Sequence, residues 1–71
     1  MGATRNWHWR MPGGKTPTRY TRVLLFDSAE RMVEVGFYDE AGAPFYQDNT
    51  AADPETTWWR PLPTAPDGEA L

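Results

Sequence analysis

Few residues in this sequence could catalyse a reaction. The 71-residue chain contains one histidine, His8, one serine, Ser28, and no cysteine. A Ser-His-Asp triad needs its three side chains within hydrogen-bonding reach of one another, and nothing in the sequence fixes Ser28 near His8. The lone histidine and the scattered carboxylates also lack the ligand spacing of zinc or calcium sites. We therefore expect no catalytic residues, no metal site and no cofactor, and a protein that is not an enzyme.

The sequence offers more residues for ligand binding than for catalysis, because aromatic and basic side chains lie close together near the start of the chain. The candidate ligand-binding residues there are Trp7, Trp9, Arg10, Lys15 and Arg19. Nucleic-acid bases stack on tryptophan rings, and guanidinium or ammonium groups form charge-assisted hydrogen bonds with phosphates. These residues predict a nucleotide or a single strand as a ligand. The competing interpretation is that the tryptophans build the core of a small domain that has no disulfide.

The GGKT sequence of residues 13–16 is similar to part of a phosphate-binding loop. The full motif is G-x-x-x-x-G-K-[ST], with a strand before it and a helix after it. Trp9 stands in place of the first glycine, and Pro17 follows directly. We therefore interpret these residues as a turn, whose backbone N–H groups could still bind an anion.

The net charge of −3 conceals an uneven distribution along the chain. Residues 1–26 hold five basic residues and no acid, a net charge of +5, and residues 27–71 carry −8. Either the two halves neutralise each other in the fold, or the surface is bipolar and attracts a basic protein partner. The acidic portion would repel a duplex nucleic acid. The candidate partner-binding residues of an acidic face are Asp39, Glu40, Asp48, Asp53 and Glu55. They lie in predicted loops, so neutralising each should cost within about 0.5 kcal/mol.

The centre of the chain predicts a β-hairpin. Two apolar runs, residues 23–26 and 32–37, flank residues 27–30, which favour a turn. We expect Phe26 to pair with Arg31. Period-2 alternation then divides the apolar side chains between two faces. One face would carry Tyr20, Leu24, Phe26, Val33, Val35 and Phe37, and the other Val23, Leu25, Met32 and Tyr38.

The whole chain predicts a mainly β fold, a small single-domain antiparallel sheet of three to four strands with little helix. The predicted strands are residues 19–26, 31–38, 44–47 and 56–60. Adjacent Trp58 and Trp59 should point to opposite faces. Residues 7–63 form the predicted domain, between a flexible N terminus, 1–6, and a flexible C-terminal tail, 64–71. The apolar runs are far shorter than the roughly 18 residues of a membrane span, and the polar start predicts no signal peptide.

Several motifs follow one another in an order that is seen in a known family. VLLFD and a turn precede VGFYDEAG, and TTWWRPLPTAP follows near the end. This order resembles the phage and prophage family called domain of unknown function 551, with W-x-P-L-P at residues 59–63 as the most specific piece. The likeness covers roughly residues 7–66. Residues 11–19, MPGGKTPTR, depart from the family's usual LP-D/E-G turn, and Phe45 or Tyr46 stands where a tryptophan is common.

The resemblance implies a small virus-derived accessory protein, and it transfers no catalytic residues because the family has none established. Our first hypothesis is a non-enzymatic protein in the host cytoplasm that binds a host protein through its acidic face and inhibits host defence. The second is a protein that sequesters a nucleotide in an aromatic and basic pocket. This pocket would lie at the interface of a homo-oligomer. The third is a structural accessory of the phage.

Overall fold

The computed structural model describes residues 8–63 and 65–68. The strands are β1 Val23–Asp27, β2 Met32–Tyr38, β3 Pro44–Tyr46 and β4 Thr57–Pro61. They form one antiparallel sheet with the spatial order β3-β2-β1-β4. The prediction of a mainly β chain with three to four antiparallel strands is confirmed. The described residues contain no helix, and therefore none that is long and apolar enough to cross a membrane.

The central hairpin has a different register from the predicted one. Phe26 pairs with Val33, and Asp27 pairs with Met32. The predicted pairing of Phe26 with Arg31 is therefore wrong by two residues. Because side chains alternate with a period of two, a slip of two residues leaves the side chains of β1 and β2 on their predicted faces.

The Asp27 side chain explains the shift in register. Its Oδ1 accepts hydrogen bonds from the backbone N–H of Ala29 at 2.8 Å and from the hydroxyl of Thr56 at 3.0 Å. Its carbonyl oxygen accepts a bond from the N–H of Arg31 at 2.7 Å, and Arg31 has a left-handed φ of 60°. Asp27 therefore completes β1 and stabilises the turn after it, although aspartate is depleted in strands generally.

The entry into the sheet also differs from the prediction. β1 begins at Val23, because the chain before it turns. Tyr20 has a φ of 62°, and the N–H of Thr21 bonds to the carbonyl of Thr18 at 3.2 Å. A left-handed residue interrupts the extended backbone, so residues 19–22 are not part of the strand. The predicted ends of β2, β3 and β4 are right to within one residue.

One face of the sheet forms the core. Leu25 is fully buried at its centre and pairs with Trp59 of β4. The other buried apolar residues are Val23, Tyr38 and Ala52. Residues 11–16 lie over this face and enclose a cavity of about 90 Å³ with Tyr38, Thr57 and Trp59. The loop therefore gives this face the cover that its apolar side chains require.

The opposite face of the sheet is half-buried and rich in aromatic rings. We call it the aromatic face; its members are Trp9, Phe26, Val33, Phe37, Phe45 and Trp58. Trp58 lies here and Trp59 in the core, so their predicted placement on opposite faces is confirmed. The Trp9 ring lies 5.7 Å from the Phe26 ring, and Phe37 stacks on Phe45 at 5.6 Å.

The two predicted flexible ends fall largely outside the described residues. Residues 1–6 lie outside them entirely, and so do residue 64 and residues 69–71 of the predicted tail. Residues 65–68 make a turn, in which the N–H of Gly68 bonds to the carbonyl of Ala65 at 2.9 Å. Both flexible ends stay predictions.

Candidate functional site

An open groove of about 720 Å³ lies where the start of β1 meets the end of β4. We call it the basic groove. Its charged side chains are Arg10, Lys15 and Arg22, and no acidic residue is among the described residues that line it. Val23 and Trp59 form an apolar floor. Thr16, Thr18 and Thr21 add hydroxyl groups to the wall.

Arg10 reaches the groove because its backbone extends the sheet. Its N–H donates to the carbonyl of Trp59 at 2.7 Å, and the N–H of Trp59 donates back at 3.2 Å. Paired residues of an antiparallel bridge point to the same face. The Arg10 guanidinium accordingly lies 5.2 Å from the centroid of the Trp59 ring, a cation–π distance. One of its nitrogens donates to the carbonyl of His8 at 2.8 Å.

Lys15 is placed by a hydrogen bond from the core. The indole Nε1 of Trp59 donates to the carbonyl oxygen of Lys15 at 2.8 Å. Gly13 has a φ of 79°, which favours glycine, and the N–H of Gly14 bonds to the carbonyl of Met11 at 3.1 Å. The GGKT sequence is thus a turn, as predicted, and no helix follows it within the described residues. Its contribution to the groove is Lys15 and Thr16.

The groove has the chemistry of an anion site. Arginine and lysine are donors only, and their charged N–H groups form the strongest hydrogen bonds with carboxylates and phosphates. Threonine hydroxyls rotate and can donate to the same oxygens. The apolar floor gives this site a surface on which a flat or hydrophobic part of a ligand can rest. A phosphate-bearing organic molecule matches all three features.

The structure brings together only part of the predicted ligand-binding set. Arg10 and Lys15 line the basic groove, whereas Arg19 does not. Trp9 lies on the aromatic face, 5.7 Å from the Phe26 ring. Trp7 lies outside the described residues. Trp9 and the two basic residues of the groove therefore lie on opposite faces of the sheet and do not line one pocket.

Two residues of the groove were not in the predicted ligand-binding set. Arg22 was counted among the neighbouring basic residues but assigned to a strand, and Trp59 was weighed both as core and as an exposed stacking surface. The turn at Tyr20, which precedes Arg22 in the chain, has no glycine or asparagine that would predict it. Trp59 is 8% exposed and serves as core and floor together. The high density of basic residues near the start of the chain was the one signal in the sequence that pointed to this groove.

The predicted acidic face is distributed over three separate turns. Asp39 Oδ1 accepts hydrogen bonds from the N–H groups of Ala41 and Ala43, both at 2.9 Å. Asp48 accepts from the N–H of Thr50 at 3.0 Å, and Asp53 from that of Glu55 at 2.9 Å. Side chains of this type stabilise turns by replacing a backbone acceptor. Three of the five carboxylates therefore have local structural roles.

Local hydrogen bonds also alter the ionisation of two members of that set. The hydroxyl of Tyr20 donates to Oε1 of Glu40, which lowers the pKa of Glu40 and raises the pKa of Tyr20. Hydrogen bonds from Thr50 lower the pKa of Asp48. Both carboxylates are fully exposed and stay charged at neutral pH.

Several carboxylates influence the ionisation of Tyr46. Burial raises the pKa of Tyr46, and the nearby carboxylates of Asp27, Glu34, Glu30 and Asp53 raise it further. Tyr46 lies on β3, which is at the opposite edge of the sheet from β4 and the basic groove. The basic groove, near the other edge, has no acidic residue among the described residues that line it.

The remaining candidate chemistries are metal binding and serine catalysis, and residues 8–63 and 65–68 show no matching arrangement of side chains for either. No three His, Asp or Glu side chains in this part gather closely enough to hold a metal ion. The hydroxyl of Ser28 donates to the carbonyl of Thr56 at 3.1 Å. This bond ties the hairpin turn to the start of β4, so Ser28 has a structural role.

Comparisons of the chain with family models, with curated proteins and with solved structures gave no match. The resemblance to the phage and prophage family called domain of unknown function 551 stays a prediction. The function is therefore inferred from the geometry and charge of the basic groove.

Proposed function

We propose that this chain is a non-enzymatic binding protein that holds a phosphate-bearing small molecule of the nucleotide class in the basic groove. The observation that carries the proposal is the convergence of Arg10, Lys15 and Arg22 on one groove whose described lining contains no acid. Three segments of a chain with a net charge of −3 supply these cations. Such a local excess of positive charge attracts anions against the overall charge of the molecule.

The energetics favour a ligand with several negative charges. Hydrogen bonds to charged groups contribute about 1.5–3 kcal/mol each, but an open groove leaves them partly screened by water and salt. A single phosphate engages one or two of the cations. A di- or triphosphate can engage Arg10, Lys15 and Arg22 together, so affinity should rise with the number of phosphates.

Calorimetric titration with inorganic tripolyphosphate tests the proposal, because this probe has the charges of a nucleotide without its base. We expect Lys15→Gln and Arg22→Gln each to weaken binding about tenfold, which corresponds to about 1.4 kcal/mol. Lys15 contributes its backbone carbonyl to Trp59, so the side-chain change leaves that hydrogen bond in place. Arg19→Gln removes an equal charge from outside the groove and serves as the control.

The outcomes of this titration separate the proposal from a general charge effect. Equal weakening by all three variants would contradict it, since net charge alone would then explain the binding. Absence of any heat above that of an ionic-strength control would also contradict it. Selective weakening by the two groove variants supports it.

A second candidate function is the host-protein inhibitor of phage origin that the sequence favoured. It is supported by the exposure of Glu40, Asp48, Asp53 and Glu55 on the surface. In that case neutralising these carboxylates slows association with a basic host protein, and added salt has the same effect. The Lys15→Gln variant would then leave association unchanged. Both candidates place the protein in the host cytoplasm, where nucleotides and host regulators are found.

A further inference from the structure

The aromatic face is an apolar surface that remains partly exposed. Trp9, Phe26, Val33 and Trp58 line a shallow cavity of about 330 Å³ on it. Val33, which pairs with Phe26 at the centre of this cavity, is 54% exposed. Exposed aromatic and aliphatic side chains that are contiguous on a small domain mark an interaction site.

Two arginines lie over aromatic rings of this surface. The guanidinium carbon of Arg31 lies 5.1 Å from the centroid of the Phe26 ring, and that of Arg60 lies 5.7 Å from the Trp9 ring. The strand positions that face this side carry no Asp or Glu; they are Leu24, Phe26, Val33, Val35, Phe37, Phe45, Trp58 and Arg60. Among the described residues, Asp39 lines a second shallow cavity of this face beside Phe37 and Phe45, and Tyr20 of that cavity donates a hydrogen bond to Glu40.

The aromatic face and the basic groove meet at one edge of the sheet. Trp9 and Arg10 are neighbours in the chain segment that pairs with β4, and neighbouring residues in extended backbone point to opposite faces. Trp9 therefore lies on the aromatic face, and Arg10 lies in the groove. A ligand that passes around this edge can place a flat ring against Trp9 and a phosphate beside Arg10.

We infer that the ligand of this protein is a single-stranded oligonucleotide, whose bases stack on Trp9, Phe26 and Trp58 while its phosphates continue into the basic groove. The inference rests on the proposed function of that groove and extends it to the second face of the sheet. Bases stack on exposed aromatic rings without regard to sequence, and nearby arginines add cation–π and phosphate contacts. The rings of the aromatic face and its meeting with the basic groove at one edge of the sheet match this occupant together.

A second copy of the chain matches this surface less well. A two-fold symmetric contact presents the same patch from both copies. It would bring Arg31 of one copy toward Arg31 of the other, and the strand positions that face this side supply no acidic residue to pair with it. The like charge of Arg31 in both copies and the continuity of this face with the basic groove therefore favour a polyanion over self-association.

Three probes separate the contribution of the aromatic face from that of the groove. They are a decathymidylate, an abasic deoxyribose-phosphate chain of the same length, and inorganic tripolyphosphate. The test variant is Val33→Glu, which adds a carboxylate at the exposed centre of the aromatic face. Ala41→Glu adds the same charge at an exposed turn after β2 and is the matched control. Affinities are measured by fluorescence anisotropy for the labelled chains and by calorimetry for tripolyphosphate.

We expect the unmodified protein to bind decathymidylate at least tenfold more tightly than the abasic chain, the contribution of one or more stacked bases. Val33→Glu should abolish this difference and leave tripolyphosphate affinity within about twofold of the original. Ala41→Glu should preserve the difference. Circular dichroism and the unfolding midpoint of each variant confirm that its sheet is intact.

The remaining outcomes overturn the inference in distinguishable ways. Equal affinity for the base-bearing and abasic chains, with tripolyphosphate still bound, rejects stacking on the aromatic face and leaves the proposed function standing. Failure of all three probes to bind rejects both proposals. Sedimentation that shows a dimer of the unmodified protein, a monomer of Val33→Glu and no effect of decathymidylate assigns the face to a second copy and also rejects the inference.

Discussion

The indole Nε1 of Trp59 donates a 2.8 Å hydrogen bond to the carbonyl oxygen of Lys15, and this bond joins the sheet to the loop that supplies the groove's lysine. The same ring lies in the core against Tyr38, with 6.4 Å between the two ring centroids, and under the guanidinium of Arg10. Trp59 therefore stabilises the fold and positions two of the cations of the basic groove. Stability and anion binding should be coupled at this residue.

Replacing Trp59 by phenylalanine tests that coupling. The variant keeps an aromatic ring in the core but loses the hydrogen bond to Lys15. We expect a loss of about 1–3 kcal/mol in the free energy of unfolding, from the hydrogen bond and the reduced packing together. Urea denaturation measures it, with Trp58→Phe on the half-buried opposite face as control. An equal effect of the two substitutions would contradict the role assigned to Trp59.

Gly36 is required by close packing between β2 and its surroundings. A Cβ built there would lie 2.3 Å from Cδ1 of Leu25 and 2.3 Å from the backbone oxygen of Phe45. The Phe45 oxygen belongs to a paired strand and cannot move aside easily. We expect Gly36→Ala to destabilise the protein by about 1–3 kcal/mol or more. Glu34 on the same strand is exposed, and Glu34→Ala should change the free energy of unfolding by no more than about 0.5 kcal/mol. Equal unfolding midpoints of the two variants would contradict the close packing at Gly36.

The turn between β2 and β3 should depend on Asp39. Its Oδ1 accepts hydrogen bonds from both Ala41 and Ala43, so Asp39→Ala leaves two backbone donors without that partner. We expect a loss of about 1–2 kcal/mol, which revises the expectation of about 0.5 kcal/mol for each loop acid. Glu55→Ala, at an exposed position, is the control in thermal unfolding. If Asp39→Ala lowers stability no more than Glu55→Ala does, the hydrogen bonds to the Asp39 side chain contribute nothing.

Tyr38 should make stability fall at high pH. Burial raises the pKa of Tyr38 to about 12, from 10.0 for a free side chain. Between these values the unfolded chain loses the proton that the folded chain keeps, so the free energy of unfolding decreases as pH rises. The contribution is fully present below about pH 10 and is lost as pH rises through about 12.

The Tyr38→Phe variant measures this effect, since it keeps the ring and removes the titrating group. Urea midpoints at pH 9 and pH 11 should fall less for the variant than for the unmodified protein. The difference between the two proteins at pH 7, where Tyr38 is neutral, gives the baseline. Parallel pH profiles would mean that the hydroxyl of Tyr38 titrates normally in the fold.

The alternation of apolar residues was enough to predict the sheet and the two faces of its hairpin. Leu25 and Phe26 point in opposite directions in any register, and a slip of two residues keeps the same side chains of the two strands on a common face. The register itself depended on Asp27, whose carboxylate accepts bonds from Ala29 and Thr56. The bond with Thr56 joins distant parts of the chain, and a local pattern contains no information about it.

The basic groove was only partly predictable for the same reason. The density of basic residues near the start of the chain pointed to Arg10 and Lys15, and the structure places both in the groove. Arg22 and Trp59 join them through the left-handed turn at Tyr20 and the pairing of Arg10 with Trp59. Neither feature follows from residue type, because the turn lacks glycine and the pairing links residues far apart in the sequence.

The most direct test of the basic groove is a two-dimensional ¹H–¹⁵N spectrum recorded as inorganic tripolyphosphate is added at constant ionic strength. We expect saturable shifts of the amide signals of Thr16, Thr18 and Thr21 and of the indole signal of Trp59, whose Nε1 bonds to Lys15. The indole signal of Trp58, on the other face, should stay in place. Shifts confined to the acidic turns, or none beyond those of a sodium chloride control, would contradict an anion site in this groove.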